Sequence, residues 1–99
     1  MNFDDRLFDT PAEIAAANVQ TLAIARANFP DIDRRFGPAS FGNHEAMDRT
    51  WMLLETFDAY VVQHPSVALC PEAFAMATHA RSLMAEVYRI IGRFEADAR

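Results

Sequence analysis

The sequence contains a single cysteine, no lysine, three glycines and no long hydrophobic run. The single cysteine, Cys70, excludes an intramolecular disulfide and fits a reducing compartment. No apolar run approaches the length of about 18 residues that a membrane span requires. Residues 1–5 include two aspartates, whereas a secretory signal begins with basic residues. These absences lead us to expect a cytoplasmic protein that has no membrane partner.

Basic charge is also scarce. All nine basic residues are arginines, against fourteen acidic residues, and the formal net charge is −5. The longest basic run is Arg34-Arg35, and Asp33 directly precedes it. Nucleic-acid binding requires a concentrated basic face. We therefore expect an acidic protein with no nucleic-acid partner, and a DNA-binding helix-turn-helix is disfavoured.

The residues that are abundant favour helices. Apolar residues make up 52 % of the chain, and eighteen of them are alanine, the residue with the highest helix propensity. Runs of β-branched residues are few. A chain of 99 residues is the length of one domain and can bury a core of modest size. The composition therefore predicts a single all-α domain over residues 1–99, with an N-terminal segment at 1–9.

The first predicted helix, at about residues 11–28, has a well-marked start. Thr10-Pro11-Ala12-Glu13 matches a capping box, in which the Thr10 side chain and the Glu13 side chain each satisfy the other residue's backbone amide. Pro30 disfavours helical geometry just beyond the end of the helix. The apolar positions of this helix are spread around it, since Leu22 and Ile24 point in different directions.

A connector at 30–42 follows, and it contains two Phe-Gly pairs, Phe36-Gly37 and Phe41-Gly42. Glycine permits a positive φ, and buried aromatic rings fill large volumes. We therefore expect the glycines to supply the turns and the phenylalanines to cover one end of a helical bundle.

Two further helices have regular apolar seams. The helix at about 43–63 starts at Asn43 as its N-cap, and the helix at about 71–95 starts at Pro71. Apolar or small residues recur at spacings of three and four, which is typical of a buried helix face. These are Met47, Thr50, Leu54, Phe57 and Val61 on one helix and Ala80, Leu83, Val87, Ile90 and Phe94 on the other. The short loop between them predicts an antiparallel hairpin. We expect an all-α three-helix bundle in which the helix at about 11–28 covers this hairpin.

Three residues are weak candidates for metal ligands. His44 and Asp48 are four residues apart and share one face of a helix, and His79 lies on the last helix. Imidazole and carboxylate suit several divalent ions. No established metal-binding spacing contains them, however, so surface positions are the favoured interpretation and we expect no metal.

Asp58 is a candidate for a buried polar residue, because it falls within the apolar face of its helix. A carboxylate in that position requires a partner if the face is buried. The favoured interpretation is an ion pair with an arginine of the first helix or the connector, such as Arg26 or Arg34. The alternative is that Asp58 faces a ligand pocket or a subunit interface.

Several large apolar residues lie away from the two seams, and they are the candidate interface residues: Ile24, Met52, Leu53, Tyr60 and Phe74. A helix that is apolar over most of its circumference must pack on more than one partner. No catalytic or cofactor motif is present, so we expect no enzyme activity and no cofactor. The sequence predicts a protein–protein interaction or regulatory module that forms a homodimer or binds another chain. The alternative is a bundle that binds a metal or a small ligand.

Overall fold

The computed structural model describes residues 9–96, and the side chains of residues 9–94. Every regular element in this range is helical, which confirms the all-α prediction. The elements are α1 (Pro11–Asn28), α2 (Ile32–Phe36), α3 (Phe41–Phe57), a π-helical turn (Asp58–Val62) that continues α3, α4 (Pro65–Ala68) and α5 (Pro71–Ala96). Apart from Asp9, the predicted N-terminal segment 1–9 lies outside the described residues.

Contacts along the chain divide it into two compact units, and the division falls between Ile32 and Asp33. Helix α1 belongs to the first unit and begins with the predicted capping box. The Thr10 hydroxyl accepts the backbone N–H of Glu13 at 3.2 Å, and the Glu13 carboxylate accepts that of Thr10 at 2.9 Å. The latter bond holds the pKa of Glu13 below its ordinary value. That the chain is a single domain, and that α1 covers the hairpin, remain predictions.

Helices α3 and α5 of the second unit form an antiparallel hairpin. Their direction follows from three contacts, whose order along α3 is the reverse of their order along α5: Met47 lies beside Gly92, Trp51 packs on Tyr88, and Asp58 pairs with Arg81. The rings of Trp51 and Tyr88 have centroids 5.3 Å apart and are tilted by 52°. The predicted hairpin is therefore present, with α4 inserted between its two arms.

The face of α5 that packs on α3 differs from the predicted seam. Among the described side chains, Val62 and Ala77 are the only buried apolar ones, and Met84, Tyr88 and Ile91 continue the Ala77 face at intermediate burial. The predicted seam residues Leu83, Val87, Ile90 and Phe94 are each about half exposed. The prediction of a buried seam was wrong at these four positions because α5 carries two adjacent apolar faces, and helical spacing alone does not show which one meets α3.

Helix α3 begins at Phe41, two residues earlier than predicted, with Ser40 rather than Asn43 as its N-cap. The Ser40 hydroxyl accepts the backbone N–H of Asn43 at 3.1 Å, which places Asn43 in the first turn, where it is buried. His64 caps α4 in a similar way, since its Nδ1 accepts the backbone N–H of Ser66 at 3.0 Å.

The connector corrects two further expectations. Among the described residues, the positive φ occurs at Ala39, where φ is 66°, and at no glycine. Phe41 is 82 % exposed, so it is not buried against the end of the bundle as expected. Gly42 has a different role, because a Cβ at this position would lie 2.3 Å from the Phe36 ring and 2.5 Å from the Arg35 carbonyl oxygen. The glycine therefore allows α2 and α3 to approach closely.

We predict that Gly42→Ala lowers the free energy of unfolding by about 1–3 kcal/mol, because the added methyl group must displace an aromatic ring and a backbone carbonyl. Gly92→Ala is the matched control. Its Cβ meets the flexible end of Met47 at 3.3 Å, and alanine raises helix propensity, so we expect a gain of up to about 1 kcal/mol. Urea denaturation at one protein concentration measures both. A Gly42→Ala protein as stable as the parent would contradict the close approach.

Candidate interaction surface

Helix α5 exposes a row of large apolar side chains next to the face that packs on α3. We call this row the free stripe, and it consists of Met76, Leu83, Val87, Ile90 and Phe94. Their exposed fractions are nearly equal, between 48 % and 52 %. Ala80 lies in the same row. The row runs for nineteen residues along the helix, which is longer than the scattered single exposures normal for a protein surface.

Helix α3 and the turn that follows it expose a second set of large apolar side chains. Met52, Leu53 and Tyr60 are 64 %, 66 % and 73 % exposed. Met52 and Leu53, together with Arg49 and Thr56, line an open apolar depression on this helix. Apolar patches rimmed by polar residues are typical of protein contacts only when they are large, so this depression is informative only as part of a wider apolar surface.

Part of this second set lies on the same side of the hairpin as the free stripe. Leu53 lies about 100° around α3 from the face that packs on α5. Leu83 lies about 100° around α5, in the same rotational sense, from the face that packs on α3. Because the two helices are antiparallel, displacements of the same sign lead to the same side of the pair. Leu53 and the free stripe therefore form one apolar surface across the hairpin, whereas Met52 points away from it.

The five predicted interface residues are all exposed, since Ile24 on α1 and Phe74 on α5 are exposed as well. Their contact with a partner remains a prediction. The sequence interpretation missed the free stripe because it assigned those residues to the core. The repeated spacing of three and four correctly identified an apolar face of α5, but that face is exposed and does not pack on α3.

Asp58 lies at the start of the π-helical turn and is held by two side chains. Arg81 of α5 donates a hydrogen bond to Oδ1 and forms an ion pair with it, and Gln63 Nε2 donates to Oδ2 at 2.7 Å. The π geometry is seen in the bond from the backbone N–H of Gln63 to the carbonyl of Asp58, five residues earlier, at 3.1 Å. The expected partner was wrong, because the arginine comes from α5 and is neither Arg26 nor Arg34.

Asp58 is partly buried, and its carboxylate contacts other side chains of the fold. Its side chain is 27 % exposed, and both carboxylate oxygens accept hydrogen bonds. The hydrogen bond from Arg81, followed by that from Gln63, lowers the pKa of Asp58 below its ordinary value of 3.8. The carboxylate thus ties the end of α3 to the middle of α5.

The metal candidates do not assemble into a site. His44, Asp48 and His79 are exposed, and within the described part of the chain no group of three histidine, cysteine, aspartate or glutamate residues is placed to hold a metal ion. Cys70 is exposed directly before α5. That the bundle binds a small ligand remains the alternative prediction.

Three comparisons with known proteins identify no relative of this chain. A scan against protein-family models, a search of curated proteins and a search of solved structures each find no match to the chain. Of the helices in the described residues, none is both long enough and apolar enough to cross a membrane.

We predict that the Asp58–Arg81 pair gives the fold part of its acid sensitivity. Because the folded pKa of Asp58 is lowered, the stabilisation is complete above about pH 4 and is lost as the pH falls through that lowered pKa. Asp58→Asn should therefore be less stable than the parent at pH 6, and the difference should shrink as the pH falls below 3.8. Thermal melts recorded across this range measure the difference.

Arg81→Gln tests the same ion pair from the other side. It should remove the same acid-dependent component, and the double variant Asp58→Asn, Arg81→Gln should remove no more than either single change does. Additive losses in the double variant would show that the two residues act independently of each other.

Proposed function

We propose that this chain is a non-enzymatic helical interaction module that associates with a second copy of itself through the apolar surface of the α3–α5 hairpin. The observation that carries the proposal is the contrast between a very small core and a large apolar exterior. Among the described side chains the buried apolar ones are Val62 and Ala77, while the whole free stripe is half exposed.

The small core supports the proposal on energetic grounds. Burial of apolar surface is the main favourable term in folding, and it must offset a conformational entropy cost of about 1–2 kcal/mol per ordered residue. The two buried apolar side chains among the described residues, Val62 and Ala77, contribute only a few kcal/mol, at about 1.5–3 kcal/mol for a large one and less for alanine. Burial of the exposed surface by a partner would add to this apolar burial and so to the stability.

The test is the mass of the protein in solution at micromolar concentration. Sedimentation equilibrium and light scattering should give twice the chain mass of 11.1 kDa. If folding is coupled to pairing, the melting temperature should also rise with protein concentration, because mass action favours the dimer. A mass of 11.1 kDa at all concentrations, with a melting temperature that does not depend on concentration, would overturn self-association.

A matched pair of variants locates the contact on the apolar surface. Leu53→Glu places a carboxylate in the surface and should weaken the dimer. Glu55→Leu, two residues further along α3, serves as the control for a change of charge and polarity at an exposed position. Loss of the dimer in the control but not in Leu53→Glu would place the contact on a different face of the hairpin.

A further inference from the structure

The free stripe belongs to a longer heptad pattern. Small or large apolar residues recur at alternating spacings of three and four through α5: Ala73, Met76, Ala80, Leu83, Val87, Ile90 and Phe94. This is the pattern by which two helices pack as a coiled coil. Leu69, four residues before Ala73 and 85 % exposed, extends it past the start of the helix. A single straight helix is therefore the occupant whose shape fits the stripe.

The two edges of the stripe differ. On one edge lie Ala77, Met84 and Ile91, which face α3 and are buried or half-buried. On the other edge four polar residues recur every seven positions, and these are Glu72, His79, Glu86 and Arg93. A partner helix must therefore lie toward the polar edge, because α3 already occupies the other side.

The two edges of the stripe determine the direction of the partner helix, and the order of charges along the polar edge determines its register. In a parallel pair of identical helices the polar edge of each would face the apolar edge of the other, which α3 covers. In an antiparallel pair the two polar edges face each other. With Ala80 opposite Leu83 of the second copy, Glu72 meets Arg93 and His79 meets Glu86, so that each carboxylate faces a residue able to donate a hydrogen bond.

We propose that α5 pairs antiparallel with α5 of a second copy along the free stripe, in the register that sets Ala80 against Leu83. This inference rests on the proposed function and specifies which surface, direction and register it uses. In this register Ala73 also faces Ile90, so the alanines receive the larger side chains, as close packing of a helical core requires. A shift of one heptad in one direction would set Glu86 against its own copy and Arg93 against His79, and a shift in the other direction would set Glu72 against Glu86.

The area available fits a dimer of modest size. Five large side chains that are half exposed offer about 450 Å² of apolar surface per copy, or about 900 Å² in a pair. Leu53 and the polar edges enlarge this contact toward the approximately 1,200–2,000 Å² buried in specific interfaces. The half-buried Glu86 in each copy already pairs with Arg89 at 2.9 Å, while Arg93 lies 3.7 Å from it. Arg93 is therefore the less tightly engaged of the two arginines.

The first experiment compares neighbouring positions on α5. Leu83→Glu places one buried carboxylate from each copy in the contact. It should raise the dimer dissociation constant by about 100-fold or more. Ser82→Glu adds the same charge on the solvent face and should change it by less than about threefold. Sedimentation measures both, and circular dichroism checks the helix content. A dimer that tolerates Leu83→Glu would overturn the free stripe as the contact, while self-association itself would stand.

The second experiment tests direction and register without disturbing the apolar residues. Glu72→Arg or Arg93→Glu alone should raise the dissociation constant by about 3–10-fold, and the double variant should return it to within about twofold of the parent. These positions are about 32 Å apart within one helix, at 1.5 Å per residue, so coupling between them must act between copies. Additive effects of the two changes would overturn this register.

The native Cys70 provides a separate test of direction. Two copies of Cys70 lie side by side in a parallel pair but about 35 Å apart in the proposed antiparallel pair. Mild oxidation of the dimer should therefore yield no crosslinked dimer on a non-reducing gel. Rapid formation of a Cys70–Cys70 disulfide would show a parallel pair and overturn the inference, with self-association itself retained. A protein that remains a monomer throughout would overturn both proposals.

Discussion

The constraint on which this structure depends is that α5 carries two apolar faces, whereas α3 is wide enough to cover only one of them. The face that includes Ala77 and Met84 packs on α3, and the neighbouring face that includes Leu83 and Val87 is left half exposed. Burial of exposed apolar area is favourable in water, so packing of another helix on the uncovered face would lower the free energy. The small core and the proposed self-association both follow from this one mismatch.

The fold could be predicted from the sequence where local chemistry is decisive. The capping box at Thr10 and the proline at position 71 fix the starts of α1 and α5, because these signals involve residues within one helical turn. The start of α3 was placed at Asn43 although Ser40 performs the capping. Both residues can cap a helix, and the choice between them depends on how closely α2 approaches Gly42, which local sequence does not reveal.

The surface and the ion pair could be predicted only in part, because both depend on contacts between distant segments. Periodicity identified Leu83 and Val87 as apolar seam residues but could not tell whether α3 or another helix would cover them. The need of Asp58 for a partner followed from its place in an apolar face, but Arg81 lies 23 residues away on another helix. Pairing at that distance is set by the hairpin's register, which emerges only when the two helices are packed.

The π-helical turn at Asp58–Val62 also has a consequence for how this sequence can change over generations. The turn holds one more residue than regular α geometry would, and this extra residue sets the rotational phase of Val62, one of the two buried apolar side chains. Loss of one codon in the α-helical part of α3 would rotate Val62 by about 100° and move it away from the core, whereas loss of one codon within the turn would remove the extra residue and restore α geometry. The turn is therefore the place in this helix where the chain can lose one residue and still keep Val62 in the core.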